Sequence, residues 1–226
     1  SDMCITDRVT AIATTLNPNA TLYQTTMDSL NYFMRERDLP RDMRLTLREY
    51  FNNARLVHQL NDDGELLDKM SPLLQGSVAM VANKKWLDHI WFFRDIEAIK
   101  GGSDFIAQLA KQLVVRCFIA QERLPVGQLY ILRRGFVVKM WRFLGAGKVW
   151  GEDMILSTIH LRSKYAARCM TYVEVYMMGR DDLIQLAMRH PATLKLIRRS
   201  AFRLGFRREM IRRATDSIKK RNEELG

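Results

Sequence analysis

The stretch VWGEDMILSTIHLRSKYAARCMTYVEVY, residues 149–176, carries the residue types of a phosphate cradle. Gly151-Glu152-Asp153 leads into a short apolar run from Met154, then Arg162-Ser163-Lys164, then two strand-like segments. A glycine at the start of a short helix lets backbone N–H groups approach an anion, and one arginine completes the pairing. No nucleophile–base pair accompanies this stretch, so the chemistry is binding and not catalysis. The four histidines show no ligand spacing, and Cys4, Cys117 and Cys169 lie far apart without a C-x-x-C, so no metal site or disulfide framework is expected.

The elements that must position this cradle follow from periodicity. Residues 21–38 place Tyr23, Met27, Leu30 and Met34 at helical spacing with Thr21 as a candidate cap. Leu39-Pro40 ends that helix, and 41–57 restarts it with Met43, Leu47, Tyr50, Phe51 and Ala54 on one stripe. Such a helical hairpin cannot bury both stripes alone and must dock on something. Residues 61–93 break into shorter helices, one capped by Asp62 or Asp63 and one opened by Ser71-Pro72. An aromatic cluster from Trp86 to Phe93 closes that region, and Ser103 is the expected cap of a helix over 103–113. The period then becomes strand-like over 114–121, 128–143 and 166–178, punctuated by Gly127, Gly135, Gly145 and Gly147. Short strands at that spacing predict a small antiparallel roll. Helix returns after Gly179, and Pro191 opens a long last helix whose apolar seam is interrupted by Arg208 and Thr215.

The chain has 226 residues, 47% of them apolar, and a net charge of +11. Ten cations stand against two carboxylates in residues 198–221, a segment suited to nucleic acid, anionic lipid or an acidic partner. No apolar run reaches the length needed to cross a bilayer, and no signal peptide opens the chain. The Ser1-Asp2-Met3 start reads as that of a fragment.

The order of hairpin, short helices, roll and closing helices resembles the C-linker plus cyclic-nucleotide-binding domain of tetrameric cation channels. LPRDMRLTLREYF (39–51) and ELLDKMSPLLQGSVA (65–79) are similar to C-linker helices of hyperpolarization-activated, cyclic-nucleotide-gated and ether-à-go-go-type channels. LYILRRG (129–135), LGAGKVWGE (144–152) and TYVEVY (171–176) resemble the roll strands that frame the phosphate cassette. The resemblance implies an α+β fold, a helical C-linker followed by a β-roll of cyclic-nucleotide-binding type. It divides the chain into a leader (1–19), the C-linker (20–100) and the roll with its basic helix (101–226). It implies a cytoplasmic, non-enzymatic gating module of a voltage-gated-type cation channel, with a potassium channel as the leading reading. It also implies a homotetramer through the C-linker, with Tyr23, Met27, Tyr50, Phe51, Leu66 and Leu67 between subunits.

For the pocket, the resemblance implies Gly151, Glu152, Asp153, Met154, Arg162 and Ser163 as the ligand set, with Glu152 on the ribose and Met154 to Ser157 as the cassette helix. Counting forward from Gly151 nominates Arg162 for the phosphate. Counting back from Thr171-Tyr172 instead puts Ser163 at the arginine's place and gives Gly151 to Arg168 the same length as in ether-à-go-go-type channels, whose pockets lack that arginine and do not depend on cyclic nucleotide. Arg123 in place of a turn glycine and a short hairpin between Phe136 and Leu144 point the same way. Arg203-Leu204-Gly205-Phe206 falls near a self-ligand motif without matching it. The expectation is thus no required cofactor and a cassette kept for its shape. The alternatives are a cAMP- or cGMP-gated module using Glu152 and Arg162, or a transcription regulator with its basic tail on DNA. The last needs a helix-turn-helix that residues 191–226 do not show, so nucleic acid is not an expected partner.

Overall fold

The computed structural model describes residues 18–53 and 69–224. The chain divides into two compact units, residues 1–63 and 64–226.

In the first unit, α1 spans Pro18–Glu36 and α2 occupies 41–53. The first helix starts ahead of Thr21, whose carbonyl accepts from the Thr25 hydroxyl inside it, so Thr21 is not its cap. Asp38 takes a positive φ of 45° between the helices, and Pro40 lets the chain restart. Tyr23 donates to Asn52 and Arg48 to Asn31 (3.0 Å), pinning the two helices side by side. Leu30 and Met34 are buried.

In the second unit, α3 (Pro72–Leu87) begins with proline at its first turn, where a missing N–H is harmless. Short 3-10 turns at Trp91–Phe93 and Ile96–Ala98 lead to α4 (Gly102–Gln112). Ser103 lies inside that helix. Gly101, with φ of 80°, holds the cap position instead, because the left-handed entry admits glycine and not serine. The expected cap at Asp62 or Asp63, together with Ala54, Leu66 and Leu67, falls outside the described residues.

Eight strands follow: β1 Val114–Phe118, β2 Arg123–Leu124, β3 Leu129–Arg134, β4 Val137–Lys139, β5 Arg142–Leu144, β6 Val149–Trp150, β7 Ala167–Cys169 and β8 Val173–Met178. They form two antiparallel four-stranded sheets, ordered β1-β8-β3-β6 and β2-β7-β4-β5. The strand-like stretch 128–143 forms three strands, broken at Gly135 and at the Met140-Trp141 turn of the hairpin expected between Phe136 and Leu144. Helices α5 (Arg180–Met188) and α6 (Pro191–Glu224) close the unit.

Alternation along β3 sets the core. Leu129 and Ile131 face a cluster built on the aromatic residues Trp86, Phe92, Phe93 and Phe105. Tyr130 and Leu132 point the other way, into the roll with Trp150, Val173 and Val175. One strand thus divides a helix-side core from a roll-side core, and the cassette begins where its partner β6 ends.

Candidate functional site

The cassette starts at Gly151, which adopts φ of 85°. A side chain there would put its Cβ 1.8 Å from the Gln128 carbonyl oxygen, so only glycine lets β6 leave the sheet at this point. The turn that follows is a 3-10 helix, Glu152–Ile155, that starts two residues before the Met154–Ser157 helix expected.

Adjacent carboxylates on this turn face opposite ways. Glu152 Oε1 accepts from the Trp91 backbone N–H at 3.2 Å, on the helix side. Burial, the largest influence, lifts its carboxyl to about 7, against the lowering effect of the Trp91 hydrogen bond. Asp153 instead turns toward the mouth of the roll, where Oδ2 accepts from Ser163 N (2.5 Å) and from Arg208 Nη1 (2.7 Å). Burial alone would raise the Asp153 carboxyl. The Arg208 guanidinium and the Ser163 N–H outweigh it and hold the group below the usual carboxylate range. Arg208 Nη1 also reaches the Leu161 carbonyl at 2.6 Å, so one guanidinium from α6 ties both ends of the cassette.

The other nominated residues are placed as follows. Arg162 folds back on its own loop, donating through Nε (2.9 Å) and Nη2 (2.6 Å) to the Leu156 carbonyl. Ser163 lines the mouth of the roll together with Gly151 and Asp153, and its hydroxyl accepts from Tyr165 N at 3.4 Å. Met154 is fully buried in the helix-side core.

The space at that mouth is small, about 10 Å³, room for one water. It is walled by Tyr130, Lys139, Trp150, Asp153 and Ser163 among others. Tyr130 and Trp150 stack with centroids 5.3 Å apart and planes 17° from parallel. Burial draws the Lys139 ammonium below its ordinary range, with Asp153 opposing. A small-molecule site needs a few hundred Å³, well over ten times this volume. Lys139, Tyr130 and Arg208 were not nominated from sequence. Only Arg208 had left a signal there, as a cation interrupting an apolar seam.

In the first unit, Tyr23, Met27, Tyr50 and Phe51 are half-buried. Tyr50 and Phe51 meet edge to face at 5.6 Å. Among the described residues of that unit, the apolar side chains most open to solvent are Leu22, Tyr32, Phe33, Met43 and Leu45.

A helical lead-in, a two-sheet roll, a glycine-started cassette and two closing helices together define an α+β protein with a β-roll of cyclic-nucleotide-binding type. Over 198 residues, 81% of its length, the chain is 26% identical to the voltage-gated inwardly rectifying potassium channel KCNH2 of Sus scrofa. It is 25% identical over 199 residues to the voltage-gated inwardly rectifying potassium channel KCNH6 of Gallus gallus. Over 209 residues, 85% of its length, it is 21% identical to the cyclic nucleotide-gated channel alpha-2 of Rattus norvegicus. The chain spans 16% of the two potassium channels and 31% of the cyclic nucleotide-gated one. No protein-family profile matches it. The resemblance to the C-linker and cyclic-nucleotide-binding region of this cation-channel superfamily therefore holds. Among the described residues, no helix is long and apolar enough to cross a membrane.

Proposed function

We propose that this chain is the cytoplasmic gating module of a tetrameric, potassium-type cation channel, and that its β-roll works without cyclic nucleotide. The observation that carries the reading is the closed mouth of the roll. About 10 Å³ remains there, and the Asp153–Arg208 bridge spans the cassette. A carboxylate at the mouth would repel a phosphate, Glu152 is engaged at Trp91, and Arg162 is engaged at Leu156. The cassette then serves as a mechanical seat for α6, and displacement of that helix would bias the pore through the C-linker.

The exposed Leu22, Tyr32, Phe33, Met43 and Leu45 support a C-linker hairpin that meets a neighbouring subunit. Beyond Glu209, α6 lies open to solvent with Lys219, Lys220 and Arg221 near its end, which supports contact with anionic lipid headgroups. That contact should weaken steeply with salt in vesicle sedimentation, and salt-insensitive binding would exclude it.

Calorimetric titration with cAMP and cGMP tests the central claim. No saturable binding is expected up to about 1 mM ligand. Micromolar binding abolished by Arg162→Ala would overturn it and restore a nucleotide-gated module.

A further inference from the structure

Away from the closed mouth of the roll, and sharing no residue with it, a groove of about 590 Å³ runs between the cassette, α5 and the middle of α6. Its wall is apolar, built on Leu156, Ile184 and Ile197. Phe202 and Phe206 extend it as an exposed stacked pair with centroids 6.5 Å apart. Two cations, Arg180 and Arg198, also line it. The carboxylate that borders it, Glu209, is already engaged by Arg212 (2.8 Å) and Arg213 (2.9 Å).

Arg180 is placed against its own stability. It is the first residue of α5, where the positive end of the helix dipole disfavours a cation. Its Nε is buried with no acceptor among the described residues. Its guanidinium lies 3.3 Å from Asp181, a carboxylate 97% exposed and so largely screened. A buried donor of this kind calls for an acceptor, and a cation beside apolar wall calls for one that carries an apolar body. The volume is in the range of small-ligand sites.

We propose that this groove binds a single-chain anionic amphiphile, a long-chain fatty-acid carboxylate. The carboxylate pairs with Arg180, with Arg198 alongside, and the acyl chain lies over Phe202 and Phe206. A ligand in this position touches cassette, α5 and α6 together, and so holds the last helix against the roll.

The test is calorimetric titration of the 226-residue chain with sodium oleate below its micelle concentration. Saturable binding of one oleate per chain is expected. Arg180→Gln and Phe202→Ser should each weaken it about tenfold, the loss of one charge-assisted contact or of one wall. Arg199→Gln, on an exposed part of α6 outside the groove, should leave it unchanged. Oleyl alcohol should bind about tenfold more weakly than oleate, since it lacks the charge. Absence of saturable binding, or equal affinity in the Arg180→Gln variant, would overturn the proposal. Binding to phosphatidylserine vesicles alone, indifferent to Arg180→Gln, would also overturn it and move the lipid contact to the basic end of α6.

Discussion

Replacing Glu152 by glutamine should make the protein more stable at neutral and alkaline pH, although it removes a residue that motif reading marks as a ligand. The carboxyl is raised from an ordinary 4.5 to about 7, with burial as the leading cause and the nearby Asp153 charge adding to it. Between those values the folded state binds more protons than the unfolded state, so stability falls as pH rises. It is full below pH ~4.5 and has been lost once pH passes ~7. At full weight the shift corresponds to ~3 kcal/mol. The side chain is half-buried, so screening by solvent reduces the expected effect to ~2 kcal/mol. Glutamine keeps an oxygen to accept from Trp91 N–H, while alanine would orphan that donor at ~1–3 kcal/mol. Urea unfolding of wild type, Glu152→Gln and Glu152→Ala at half-unit steps from pH 5 to 8.5 separates these contributions. Wild type minus Glu152→Gln should fall by ~2 kcal/mol across the series, and Glu152→Ala should lie below Glu152→Gln throughout. Parallel profiles for wild type and Glu152→Gln, or a glutamine variant less stable at pH 8, would refute the reasoning.

Removing the α6 cation by Arg208→Ala should cost ~2 kcal/mol at pH 7, because it strands a buried Asp153 carboxylate; the partial exposure of Arg208 keeps the loss below that of a fully buried pair. Asp153 is held below its ordinary range, so the stability it contributes is present above pH ~4 and is lost as pH falls through the folded value; the deficit of Arg208→Ala should therefore shrink in acid, and Asp153→Asn should rescue it in a double-mutant cycle. The β4–β5 hairpin turns on Met140 and Trp141, both at positive φ (49° and 63°), a geometry that asparagine and glycine adopt without strain. Trp141 is 97% exposed and loses little packing, so Met140→Asn with Trp141→Gly should stabilise by ~1 kcal/mol and raise the melting temperature by ~2–4 °C. An unchanged or lower midpoint would mean that these side chains hold the turn through contacts of their own.

Local pattern reached the fold further than the site. Period-3.6 and period-2 stripes marked the hairpin, the change to strands and the last helix from Pro191, because each depends on residues only a few positions apart. Caps were less legible. Thr21 and Ser103 have the right side chains, yet helix starts at Pro18 and after a left-handed Gly101 put both inside helices. At the cassette, Gly151 was legible through its resemblance to the family's Gly-Glu pair, and the close approach of the Gln128 carbonyl supplies the steric reason that one amino acid fits there. Which of Glu152 and Asp153 turns to the mouth of the roll was not legible, since adjacent residues on a tight turn point apart and only packing against Trp91 and Arg208 decides between them. The partner of Asp153 lies 55 residues away in the chain, a distance no motif spans. Even so, Arg208 stood out as a cation within an apolar helix seam. Such a position is unfavourable unless the helix packs that face on an anion. A charge that breaks an amphipathic stripe is therefore a search instruction: the acidic residue that answers it belongs to the element on which the helix rests, and here that element is the cassette.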